Sequence, residues 1–341
     1  MKKQFLSSKN SVFRIVLAVF VCLWGMNGLL AQTAVLQHEG ERIVFYGSDS
    51  FKDAYNASIE GDVITLSEGT FNTCNIGKSI TIHGAGAYED TVAGRFATRF
   101  YTSFYIVDNC SPNIEGINFN DVVYLSSTHN VHFVKCRFNR LYKYNPGIVT
   151  GVHLVNCIIG TLNASYLLGY TGSGYVDNLN IVNSVIWNLG TTFAGQNHVA
   201  SNSIIRTNDD RTLNNIIAYN SVIVKGVDSP TLGSTCTFYN CIGVGTSVFS
   251  NSLNSNVMVV GAISDVFPAF DDNAGADDPF ILDEGIAASF LGTDGTEVGI
   301  HGGYYPYSNR PGYMKVRHCT VGDRTTDDGH LSVDIEVVTE E

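Results

Sequence analysis

The octapeptide "IVNSVIWN" at residues 181–188 sets an asparagine and a serine into the middle of an apolar run, and "LVNCIIGT" at 154–161 repeats the arrangement. Aligned on the interrupting residue, "FVKCRF" (133–138), "LVNCII" (154–159), "IVNSVI" (181–186), "ASNSII" (200–205), "AYNSVI" (218–223) and "FYNCIG" (238–243) share one pattern, with "IEGINF" (114–119) as a weaker first copy. Successive copies are offset by 19, 21, 27, 19, 18 and 20 residues. A unit this short cannot enclose a core of its own. It buries its apolar face only against the units before and after it, so the chain must stack as a solenoid.

Two solenoids have periods near this one. A leucine-rich repeat needs a Leu-x-x-Leu-x-Leu frame, whereas these copies are led by Ile, Val, Phe and Ala. The pattern therefore predicts an all-β fold, a parallel β-helix whose short strands pair with the coils above and below. Asparagine tolerates the left-handed backbone that bends one strand sharply into the next. Asn156, Asn183, Asn202, Asn220 and Asn240 then form a structural ladder, their amides bonding along the axis at a spacing of roughly 4.8 Å, while Gly116 and Lys135 take the position in earlier coils. The residue after each bend (Cys136, Cys157, Ser184, Ser203, Ser221, Cys241) is expected inside as packed small residues, and a Cys136–Cys157 bridge between adjacent coils is conceivable. Two places after the bend come Arg137, Ile158, Val185, Ile204, Val222 and Ile242 on the outside. An apolar stripe of that length does not face water, so it is expected to be covered by loops and the C-terminal segment or by a protein partner on this flank.

The ends read differently from the middle. Residues 1–31 have a basic start (Lys2, Lys3, Lys9, Arg14), an apolar run from Ile15 to Trp24 and small residues up to Ala31, the organisation of a secretory signal peptide. A lipid anchor at Cys22 is disfavoured because Val19, Phe20 and Val21 precede it. The expected location is therefore secreted, periplasmic or at the outer cell surface, with no transmembrane segment. Residues 32–61 hold a predicted amphipathic helix with Ser50 and Asp53 as its capping pair, residues 62–308 the β-helix with a closing coil, and residues 309–341 a β-hairpin tail in which "MKVRHCTV" and "HLSVDIEVV" are joined through "DDG".

In its I-x-N-[CS]-x-[IF] coils, its helix before the strand "DVITL", and "IGKSITIHGAG" at 76–86, the chain resembles the pectate-lyase-like right-handed parallel β-helix superfamily. "DPFILDEGIAASFLGTDGTEVGIHGGYYPY" resembles the closing coil of secreted β-helix proteins common in Bacteroidetes. The resemblance implies a right-handed helix capped at its N-terminal end. It does not carry a catalytic pattern across, because the superfamily's lyase and polygalacturonase motifs are missing.

Charge narrows the partners. Without the four basic residues of the leader, 16 Lys and Arg face 32 Asp and Glu, a net charge of −16, which disfavours nucleic acid. Against that background "KCRFNRLYKY" gathers Lys135, Arg137, Arg140 and Lys143 beside Tyr142 and Tyr144. Guanidinium pairs with carboxylate or sulfate and tyrosine stacks on a sugar face, so these six residues are the candidate glycan-binding site for a polysaccharide or surface glycan. His129, His132, His153 and His198 share no column and read as surface or turn residues. Asp210 and Asp228 each fall eight residues after a ladder asparagine. With Asp209 they form a candidate metal site, and calcium is the one cofactor the pattern would take, with Arg211 as the cation beside it. The function expected from the whole is a non-catalytic glycan-binding or adhesin-like module; the alternative is a polysaccharide lyase or glycoside hydrolase with a divergent site.

Overall fold

The structure, a computed structural model, describes residues 32–89, 96–144, 149–160, 167–170, 176–189, 195–207, 213–226, 235–271, 273–308, 314–325 and 331–339, giving the backbone alone for 167–170, 189, 314–325 and 331–339. Residues 1–31, expected to be a signal peptide, and the candidate metal residues Asp209, Asp210 and Asp228, with Arg211, lie outside the described residues.

Stacked parallel strands form a β-solenoid. One wall is a 12-stranded sheet and the other a sheet of 13 strands, and successive coils occupy neighbouring places in both. Register runs column by column: Phe133 pairs with Leu154, Leu154 with Ile181, Ile181 with Ala200, Ala200 with Ala218 and Ala218 with Phe238. All six of these side chains are buried in one continuous apolar core.

The bend between the two walls has the left-handed conformation throughout. φ is +67° at Gly116, +50° at Lys135, +52° at Asn156, +45° at Asn183, +48° at Asn202, +51° at Asn220 and +49° at Asn240. Asn256, at φ +51°, adds a further coil that the alignment missed. A second left-handed column, Asn130, Gly151, Asn178, Asn197 and Asn215, turns the chain at another corner. There the amides do run along the axis: Asn197 Nδ2 donates to Asn178 Oδ1 at 3.2 Å and Asn178 Nδ2 to Thr150 Oγ1 at 2.9 Å.

At the N-terminal end, β1 (Thr33–His38) and β2 (Glu41–Tyr46) form a hairpin, and β1 pairs antiparallel with β3 (Val63–Leu66), so the first coil does not present an open edge. Helix α1 (Ser50–Ala57) closes the core by placing Phe51 5.0 Å from Phe100 and 6.2 Å from Phe104, measured between ring centroids. Its start corrects the expected capping pair. Asp49 is the N-cap, without a side-chain cap bond, because its carboxylate accepts from Asn72 Nδ2 at 2.9 Å; Ser50 is a helical residue with a buried hydroxyl. The C-terminal strands Met314–Thr325 and Leu331–Thr339 pair antiparallel with each other.

Of the two covers expected for the apolar stripe, the structure shows the first: the chain itself. Ile158, Val185, Ile204, Val222 and Ile242 belong to a second core with Val266, Phe267, Phe280, Phe290, Val298 and Ile300. Residues 261–308 therefore do not act as a closing coil. They turn back along the solenoid as a lateral cover, with one short helix, α2 (Glu284–Ser289). The six cysteines from Cys74 to Cys241 are free thiols, Cys136 and Cys157 included: their Sγ atoms donate to the carbonyls of Val134 and Val155, each at 3.4 Å.

Candidate functional site

The outward face of the second wall carries the geometry most suited to a ligand. Strand Phe104–Ile106 pairs with the end of Ile117–Leu125, which pairs with Arg137–Lys143, so Tyr105, Tyr124 and Tyr142 stand in one column. Alternation turns Phe104, Val123 and Leu141 into the core and leaves the tyrosines outside. Tyr105 and Tyr124 stack with centroids 4.8 Å apart and planes at 17°, and Tyr142 follows Tyr124 at 6.0 Å. Tyr144 lies across the stack, 5.4 Å from Tyr124 and 6.1 Å from Tyr105 with its ring near perpendicular, and it is 46% exposed. A β-bulge between Phe119 and Val122 places Val122 opposite Arg140, two residues before Tyr142, and the charge of Arg140 reaches Tyr124 at the rim of the tyrosine column.

The six residues grouped by the sequence are divided by the fold. Arg140, Tyr142 and Tyr144 belong to this face. Arg137 points to the neighbouring column, where its guanidinium donates twice to Asp277, from Nε to Oδ1 at 3.0 Å and from Nη2 to Oδ2 at 2.6 Å, clamping the cover to the solenoid. Lys143 is buried, 4% exposed, and burial lowers its pKa. Lys135 takes the bend. Tyr105 and Tyr124 were missed because they come from two other coils; the signal available was the aromatic recurrence at 105, 124 and 142, at a spacing near the coil period.

The ladder asparagines meet the cover. Asn240 Nδ2 donates to Leu291 O at 2.8 Å, Asn220 Oδ1 accepts from Thr293 N at 2.8 Å, and Asn183 Nδ2 donates to Ile300 O at 2.9 Å and Gly302 O at 2.7 Å. Gly302 and Gly303 pass so close to Asn202 that a Cβ on either would stand 2.9–3.0 Å from its amide. An axial ladder does exist one residue on, in hydroxyls: the backbone N–H of Cys157 donates to Ser184 Oγ (3.0 Å), that of Ser184 to Ser203 Oγ (3.2 Å) and that of Ser203 to Ser221 Oγ (3.1 Å).

The histidines correct another expectation, since His132 and His153 do share a column. They stack at 4.2 Å and 10° on the outside of the first wall, each with its pKa lowered by burial. His198 is buried, and desolvation pushes its pKa down to about 4. Among the described residues no group of three His, Cys, Asp or Glu side chains could hold a metal ion, and no helix is long and apolar enough to cross a membrane.

Fold and face together define a β-solenoid that shields one flank with its own chain and exposes an aromatic column on another part of the same wall. Comparison of the chain with protein-family models, curated proteins and solved structures finds no match.

Proposed function

We propose that this protein is a glycan-binding, adhesin-like β-solenoid, exported to the periplasm, the outer cell surface or the medium, and related to the pectate-lyase-like superfamily. The observation that carries the reading is the column Tyr105, Tyr124 and Tyr142 with Tyr144 laid across it and Arg140 at its rim. Tyrosine combines an apolar ring with a hydroxyl that both donates and accepts, which suits the alternating C–H and O–H faces of a sugar. Arg140 adds a fork for a carboxylate or sulfate on an acidic glycan. Because the column follows the solenoid axis, it meets an extended chain at successive coils and gains affinity by repetition.

The test is retention on a panel of immobilised neutral and uronic-acid polysaccharides. At least one should retain the wild type, with Tyr144→Ala and Arg140→Gln each reducing affinity by about tenfold, the scale of one exposed contact. Retention unaffected by either change would refute the site. Release of new reducing ends or unsaturated products would replace binding with catalysis.

A further inference from the structure

A second ligand site stands on different residues. Between the solenoid and the cover lies an open cleft of about 350 Å³ whose lining includes Arg206, Lys225, Thr246, Phe270, Gly245 and Gly261. The volume is at the small end for ligand pockets and suits one or two sugar rings. Two cations meet here on an acidic chain, and among the described residues none that lines the cleft is an acid. Among the described residues neither Arg206 nor Lys225 makes an ion pair. Asp265, near Gly261, turns its carboxylate to the Ala262 N–H at 2.9 Å.

Arg206 is held in place. Its guanidinium carbon lies 4.7 Å from the centre of the Trp187 ring, and Trp187 is wedged against Phe270 and Phe280 at 5.5 Å each. A guanidinium seated on an indole keeps its N–H edge free for an oxyanion while losing little freedom on binding. Lys225 comes from the next coil, one residue beyond the Arg206–Val224 pair. Phe270, half-buried, adds an apolar ring to the same cleft.

We propose that this cleft binds an acidic sugar unit, the oxyanion held by Arg206 and Lys225 and the ring lying against Phe270. The shared chemistry is a carboxylate or sulfate on a pyranose. It does not depend on the tyrosine face.

The chain has two tryptophans, Trp24 in the segment read as the leader and Trp187, so the protein produced from Gln32 onward has Trp187 as its reporter under Arg206. Titration with galacturonate, N-acetylglucosamine 6-sulfate, glucose and inorganic sulfate, followed by Trp187 fluorescence, decides the matter. A saturable change with either sugar acid, weakened about tenfold by Lys225→Gln and suppressed at about 0.5 M salt, supports the site and names the oxyanion it takes. Arg206→Gln should act likewise; if it lowers the unfolding midpoint through the lost Trp187 contact, Lys225→Gln on the rim carries the test. Tyr144→Ala should leave the signal unchanged. Equal response to glucose, equal affinity for inorganic sulfate, or no response to any ligand overturns the proposal.

Discussion

Asn183 performs two tasks at once. At φ +45° it occupies a backbone region that branched and bulky residues avoid, and its amide donates to two carbonyls of the cover. Asn183→Ala should destabilise by roughly 2–4 kcal/mol, about half from the left-handed backbone and half from carbonyls left without a donor. Asn183→Gly restores the backbone freedom but not the amide, so in chemical denaturation it should recover the first part alone. Equal losses for the two variants would assign the whole effect to the hydrogen bonds. Asparagine at this bend was legible in the sequence because left-handed compatibility is a local property. Which partner its amide meets was not, since Ile300 and Gly302 lie 117 and 119 residues further on.

At the scale of elements, the cover converts a surface into a second core. Phe280 is 1% exposed and packs its ring against Trp187 at 5.5 Å and Phe267 at 5.3 Å. Phe280→Ala should therefore cost about 3–5 kcal/mol, as for a large aromatic removed from a packed interior. Its expected signature is loosening of the cover before the coils: hydrogen exchange should rise first in residues 261–303, with the central strands still protected. Simultaneous loss of protection in both would show that cover and coils unfold as one unit. That the stripe needed covering followed from its apolar length. That residues 261–308 cover it did not, because "DPFILDEGIAASFLG" carries no periodicity that says which surface it will meet.

Over the whole molecule, acid should weaken the fold through histidines that folding keeps neutral. His198 titrates near pH 4 in the folded protein because burial disfavours its charge, against 6.5 for an open chain, so the unfolded state takes the proton first. Stability is thus complete above about pH 6.5 and falls as the pH drops toward 4, by roughly 2 kcal/mol from this residue at pH 5. Burial of His132 and His153 acts in the same direction. His38 acts oppositely: its hydrogen bond to Asp62 raises its pKa, and that contribution is present below about pH 6.5 and lost as the pH rises through the folded value. Comparing wild type with His198→Gln at pH 7 and pH 5 isolates the largest of these effects. The gap between the two proteins should shift by roughly 2 kcal/mol in favour of the variant at pH 5; an unchanged gap would mean that His198 is protonated in the folded state.

The sequence by itself determined the coil. Its period near 20, its bends and its inward columns are short-range properties, each unit repeating the same choice of left-handed asparagine, small residue and β-branched side chain, and the register of one pair of coils passes to the next. Proximity along the chain does not put Lys135–Tyr144 on one face. Alternation, with a break in phase at Asn139–Arg140, sends Arg137 under the cover, Lys143 inward and Tyr142 out within seven residues, while Tyr105 and Tyr124 join Tyr142 from other coils. What only the tertiary structure decided is which long-range surfaces meet: the return of residues 261–308 along the flank, the clamp of Arg137 on Asp277, and the cleft at Arg206 and Lys225. Those contacts join segments tens to more than a hundred residues apart, where nothing in the local pattern distinguishes one apolar partner from another and only the assembled shape selects between them.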